Sequence, residues 1–166
     1  ETVDLDVMQW LTETELGKAV FTALVSMLPV VELRGGIPFG VGTLGLGPWT
    51  AFFSSVAGNM LPIPFIVVYI RRIFKWLRGR HAKLDRLVSR LEGRAHLKGR
   101  LVTRYRLLGL CVLVAIPLPG TGAWTGALVA AFLDLRLRDA FLSIFFGVIL
   151  AGFAVMGITY GFAFFF

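Results

Sequence analysis

Glu32-Leu33-Arg34-Gly35-Gly36-Ile37-Pro38 lies inside an apolar run from Ala19 to Gly47 in which no other residue is charged. A run of that length can enter a membrane. There a carboxylate and a guanidinium cost roughly 2.5 to 3.5 kcal/mol each on insertion scales, and by default they mark a functional site. Gly35 and Gly36 permit backbone shapes closed to other residues, and Pro38 lacks the amide hydrogen that a continuing helix uses. The helix is therefore expected to break between Glu32 and Pro38. Broken backbone at membrane depth survives only where protein buries it or where it lines a wet cavity, so the break predicts a pocket.

The composition agrees with that setting. A hydrophobic share of 57% and a mean hydropathy of +0.78 predict an all-α integral membrane protein. The 166 residues leave room for a few membrane segments and one connecting arm, a single membrane domain over 1–166. Cys111 is the sole cysteine, which excludes disulfides within the chain and a cysteine-based zinc site. The first residue is Glu1 rather than Met, which leaves room for an upstream segment.

Upstream of the break, residues 1–17 carry five acids and no Lys or Arg. Val3, Val7 and Trp10 recur at helical spacing and predict a short amphipathic helix in the headgroup region. Thr12 and Glu15 form a capping box, with Leu11 and Leu16 as its staple, so a new helix is expected from about Glu13 to about Leu28, stopping near Pro29. That helix rises only about 24 Å against a hydrocarbon core of about 30 Å. Residues 13–47 therefore read as a re-entrant hairpin. Trp49 to Ile70 is uncharged and about 33 Å long as a helix, one full crossing, kinked by Pro62 and Pro64. Ser55 and Asn59 share a face of it, and Asn59 serves either helix packing or substrate contact.

Arg71 to Arg106 holds thirteen Lys or Arg and two acids. The positive-inside rule places this arm, residues 71–106, in the cytoplasm, against anionic lipid headgroups, with Trp76 and Tyr105 as interfacial anchors. Leu84, Leu87, Val88 and Leu91 follow helical spacing, interrupted by Gly79, Gly93 and Gly99. His81 and His96 have no accompanying ligand pattern and read as solvated residues, and nucleic-acid binding is a poor fit to an arm with so few aromatics. Leu107 to Leu133 is a second apolar run broken in its middle, at Pro117-Leu118-Pro119-Gly120-Thr121-Gly122-Ala123-Trp124, and reads as a second re-entrant hairpin. Ala140 to Tyr160 is the second full crossing, with Gly147, Gly152 and Gly157 offering close packing.

The two halves, 13–70 and 107–161, overlay with a period of about 88 residues, Pro29 matching Pro117. Each holds one hairpin that crosses nothing and one helix that crosses once, so the second copy is inverted. Both termini are then outside and the two hairpin tips meet near the midplane. The expected address is a prokaryotic inner or plasma membrane, and four inserted elements in so short a chain suggest a homodimer.

Glu32 to Pro38, Gly58-Asn59-Met60-Leu61-Pro62-Ile63-Pro64 and Pro117 to Trp124, in that order, resemble the small multidrug export protein family across nearly the whole chain. The paired hairpins are more distantly similar to the DedA (VTT-like) superfamily, whose members include transporters of undecaprenyl phosphate and other lipids. Glu32 and Arg34 stand two apart and no second arginine follows Pro38, which departs from that superfamily's motifs. The resemblance implies a transporter.

Three functions fit the residues. In a carrier of an amphipathic, phosphate-bearing anion, Arg34 contacts the phosphate and Gly120, Thr121 and Gly122 add backbone N–H groups and a hydroxyl. In a proton-coupled exporter of cationic drugs, Glu32 exchanges a proton for the cation. In a structural membrane protein, Glu32 and Arg34 only neutralise each other. The anion carrier is preferred, with Glu32, Arg34, Gly35, Gly36, Pro38, Asn59, Pro117, Pro119, Gly120, Thr121, Gly122 and Trp124 as its site and with no cofactor. Ser-His-Asp sets, metal clusters and nucleotide loops do not occur, so no enzyme is expected. The topology has a direct check in a Cys111→Ala background: single cysteines near Lys18 and Gly47 are expected to be labelled from the same side of the membrane. Labelling from opposite sides makes residues 13–47 a crossing.

Overall fold

The computed structural model describes residues 2–78, 86, 89, 90, 93, 106–116, 118 and 120–161, and among them there are helices and no strands. They gather into two compact units, Glu1–Leu61 with Ile149–Phe166, and Pro62–Val148.

In the first unit, helix α1 (Thr2–Glu13) is followed at once by α2 (Glu15–Ser26). The cap lies two residues later than the sequence predicts. Thr14, in extended conformation, accepts a hydrogen bond from Gly17 N at 3.0 Å, whereas the Thr12 hydroxyl donates back to the Met8 carbonyl inside α1. A threonine with a carbonyl four residues behind it bonds backward, leaving the next threonine to cap. In the adjacent Lys18–Glu15 pair at 3.1 Å the Glu15 side chain is exposed, so the pair adds little.

The chain breaks near Pro29 as the sequence predicts, but not between Glu32 and Pro38. The break falls at residues 27–31, around Pro29, and Glu32–Pro38 is itself helix α3, with Gly35 and Gly36 in helical conformation. Pro38 does not end it. Phe39 N donates past the proline to the carbonyls of Gly35 and Gly36, and the chain widens into a π-helical turn, Phe39–Thr43, closed by Leu44 N to Phe39 O at 3.2 Å. A proline inside a helix removes one ladder bond, and a wider turn is one way for the ladder to resume.

Helix α4 (Pro48–Met60) packs on both arms of this broken pair. The contacts are close because glycines make them: a Cβ on Gly58 would overlap the Ala23 carbonyl of α2, and one on Gly40 would lie 2.9 Å from Thr22 Oγ1 and 3.0 Å from Ala51 Cβ. Phe52 and Phe53 of α4 join Trp49 and Phe153 in an aromatic cluster, and Gly152 leaves room for the Phe52 ring.

In the second unit α5 (Ile63–Arg78) carries straight on past Ile70, so the basic arm begins as a helix. Of the arm beyond it only Arg86, Ser89, Arg90 and Gly93 are described, and they are helical, Gly93 included, which the sequence reads as an interruption. The readings for Gly79, His81, Leu84, Leu87, Val88, Leu91, His96, Gly99, Tyr105, Pro117 and Pro119 lie outside the described residues. Helices α6 (Arg106–Ala115) and α7 (Ala123–Phe132) flank the second break as predicted, except that Ala123 and Trp124 belong to α7. Ala123, Ala127 and Ala130 of α7 are fully buried, and Gly126 lies against Val114. Helix α8 (Leu137–Tyr160) follows, its Gly147 set against the Cys111 carbonyl and Val114. Gly157, expected to pack closely, has open space where a Cβ would stand.

Pro48–Ile70, interrupted by a turn at Leu61 and Pro62, and Leu137–Tyr160 are long and apolar enough to cross a membrane. Shorter helices also present apolar faces outward: Leu16, Val20 and Leu24 are exposed at four-residue intervals along α2, and Leu108 and Val112 on α6. Such stripes suit lipid and not water. The glycine contacts separate two substitutions. Gly58→Ala is expected to cost about 1 to 3 kcal/mol, seen as a lower unfolding midpoint, because backbone stands in the way. Gly157→Ala is expected to leave the midpoint unchanged or slightly raised.

Candidate functional site: a polar seam beside the broken helix

Helices α2, α3 and α4 meet along a line of small and polar residues. Thr22, Ser26, Ser55 and Asn59 are each 0% exposed and Glu32 is 5% exposed. The spacing follows from helix geometry, since Thr22 and Ser26 are four apart on α2, Ser55 and Asn59 four apart on α4, and such pairs share a face. Glycines on α3 let the three helices close over them. A Cβ on Gly36 would overlap Ser26 Oγ and stand 2.9 Å from Ser55 Oγ, while Gly40, one turn on, faces Thr22 and Ala51. The segment from Glu32 to Gly40 thus runs antiparallel to α4, Gly40 beside Ala51 and Gly36 beside Ser55.

The hydrogen bonding of this seam is incomplete. Ser26 Oγ donates to the Thr22 carbonyl at 2.8 Å, but Thr22 Oγ1, Ser55 Oγ and both polar atoms of the Asn59 side chain have no hydrogen-bond partner. Unmatched buried polar groups cost about 1 to 3 kcal/mol each, and native proteins keep few of them. Four such atoms along one seam mark a place built to meet something else.

Glu32 is unusual in its backbone as well. Its φ is +50°, in the left-handed region that non-glycine residues rarely occupy. It starts α3 there, its N–H donating to the Leu28 carbonyl at 2.9 Å. Holding a carboxylate in that conformation costs of order 1 kcal/mol, strain of the kind that collects at binding sites. Arg34, two residues on, is half-buried, and Leu33 between them is 2% exposed. Residues two apart on a regular helix point in different directions. Gly35 is half-buried against Val31.

At the second break the Thr121 hydroxyl is already employed. It lies 2.7 Å from the Ile116 carbonyl and 2.8 Å from that of Leu118, and it accepts from Leu118 N at 3.2 Å. Thr121 N donates to the Leu118 carbonyl at 3.1 Å. The threonine closes the turn, with Gly120 at φ +77° and Gly122 at φ +142° providing conformations that suit glycine. Trp124 is half-buried in the first turn of α7. Among the described residues no three His, Cys, Asp or Glu gather as metal ligands.

Of the residues singled out in the sequence, Gly36 and Asn59 belong to the seam and Glu32, Arg34, Gly35 and Pro38 to the same short helix as Gly36. Gly120, Thr121, Gly122 and Trp124 belong to the other unit. Sequence reading missed Thr22 and Ser26, whose signal is their four-residue spacing, matching that of Ser55 and Asn59.

A broken helix, two apolar spans and a buried polar seam describe an all-helical membrane protein of the transporter class. The family model described as "Putative small multi-drug export protein" matches residues 32–154, most of the chain, and the protein belongs to that family. The match begins at Glu32 and takes in Ser55 and Asn59, with Thr22 and Ser26 just upstream of it. No curated protein and no solved structure matches the chain.

The left-handed conformation of Glu32 gives a test free of ligands. Glu32→Gly is expected to be more stable than Glu32→Ala by about 1 kcal/mol in thermal unfolding, because only glycine adopts that φ without strain. Equal stabilities would mean that the conformation is not kept in solution.

Proposed function

We propose that the protein is a membrane transporter whose broken helix, from Pro29 to Thr43, binds an amphipathic anion bearing a phosphate group, with Arg34 as the anchoring contact. The observation that carries this reading is the placement of Arg34. A half-buried guanidinium in a run whose one other charge is Glu32, on a short helix bounded by a break and a π-helical turn, is suited to a planar, bidentate contact with a phosphate.

Each helix–break–helix element is re-entrant in this account. Helix α2 rises about 18 Å and α6 and α7 about 15 Å each, about half of the hydrocarbon core, yet α2 and α6 carry lipid-facing stripes. The basic residues from Arg71 onward lie on the cytoplasmic side against anionic headgroups, and the protein works as a homodimer in an inner or plasma membrane.

Export of cationic drugs is the second reading, favoured by the buried Glu32 and by the family's description. One experiment separates the two. The purified protein is expected to unfold several degrees higher with a polyprenyl phosphate, and Arg34→Ala is expected to remove that gain while leaving the fold intact. Stabilisation by lipophilic cations instead, lost in Glu32→Gln and unaffected by Arg34→Ala, assigns the site to drugs.

A further inference from the structure

Two unpartnered hydroxyls of the seam are covered by one short segment. We propose that residues 32–43, helix α3 with the π-helical turn after it, are a gate. It is closed in this structure over a polar track on α2 and α4, and it lifts in the transport cycle to let water and the polar part of the substrate reach Thr22, Ser55 and Asn59.

What lies over each hydroxyl is a glycine. A Cβ on Gly36 would stand 2.9 Å from Ser55 Oγ, and one on Gly40 would stand 2.9 Å from Thr22 Oγ1. Neither oxygen has a hydrogen-bond partner among the described residues, and neither has the Asn59 amide, one turn from Ser55 on α4. A glycine α-carbon offers at most a weak C–H···O contact, less than a hydroxyl obtains from water. The fit is therefore tight in shape and poor in hydrogen bonding, and both directly covered mismatches lie under the same segment. A packing surface needs only the shape. Hydroxyls and an amide beneath it are of use once the segment is off them.

The segment is also bounded as a moving piece must be. Helix α3 has seven residues, with the break at 27–31 before it, and after the π-helical turn residues 44–47 lie outside any helix. At the first joint Glu32 stands at φ +50°, and at the second Gly45 stands at φ +70°. Hinge motions are absorbed at such element ends, and π-helical turns collect at functional sites. What holds the segment down is apolar: Leu33 and Ile37 are buried, and Phe39 meets the Phe21 ring edge-on at 5.4 Å. In a membrane such groups lose little by turning toward lipid, whereas the hydroxyls and the amide gain by meeting water. Closed and open states are thereby brought near one another in free energy, as a transport cycle requires.

The test is the reach of a charged, water-soluble thiol reagent in proteoliposomes, with reagent on both sides. No substrate is added, so the outcome does not depend on the anion reading. Single cysteines are placed in the full-length Cys111→Ala protein. Ser55→Cys and Thr22→Cys are both expected to be modified, although each position is 0% exposed, and either serves as reporter if the other does not fold. Ala130→Cys, equally buried on α7, is expected to react at least about tenfold more slowly, because the access is local and not global unfolding. Adding Thr22→Val and Asn59→Leu to Ser55→Cys removes groups that gain from water, and is expected to slow its modification by at least about tenfold. The proposal is overturned if neither reporter reacts in the folded protein while both react after denaturation. It is equally overturned if the reporters react no faster than Ala130→Cys, or if the two apolar substitutions leave the Ser55→Cys rate unchanged.

Discussion

Everything in the first unit depends on the close approach of three helices through glycine. Gly58 lets α4 reach the main chain of α2 at Ala23, and Gly36 and Gly40 let the segment after the break settle on both. Inside a membrane, helices gain little from hiding apolar surface, and association rests on packing and on polar contacts. Small residues at the crossing supply the packing. They also bring Thr22, Ser26, Ser55 and Asn59 to one line with no exposed surface, so the contact that holds the unit together also creates its polar interior.

A membrane protein could hold three helices together without that polar interior. Alanine or leucine at these positions would pack without leaving buried oxygens and an amide unmatched, and the cost of unmatched groups is large beside the few kcal/mol by which a domain is stable. The left-handed Glu32 adds to the same cost. Strain at Glu32 and unmet hydrogen bonds between the neighbouring helices make this unit the candidate site.

The sequence was legible where chemistry is unusual for its setting. Charges inside an apolar run pointed to the short helix Glu32–Pro38, and helix length and prolines located two spans and two breaks. The exact break was not legible, because Pro29 and Pro38 both signal one and the outcome depends on how the hydrogen-bond ladder resumes after each. Beyond Pro38 it resumes through a wider turn, whereas Pro29 ends its helix. Gly35 and Gly36 look like a turn in one dimension and act as a packing surface in three. Thr22 and Ser26 look like ordinary helix residues until α3 and α4 cover them. Thr121 offered a hydroxyl to a ligand in sequence and spends it on its own turn.

The central claim is that the seam's polar atoms serve a ligand and not the fold. The direct measurement is the thermal unfolding of a Thr22→Val, Asn59→Leu variant without added substrate, where no ligand compensates the wild-type groups. If the atoms are unmatched in the fold, replacing them with apolar side chains of similar shape leaves the midpoint equal to that of the wild type or higher. A midpoint lower by more than a few degrees would show that these groups hold the helices to one another, and would contradict the account.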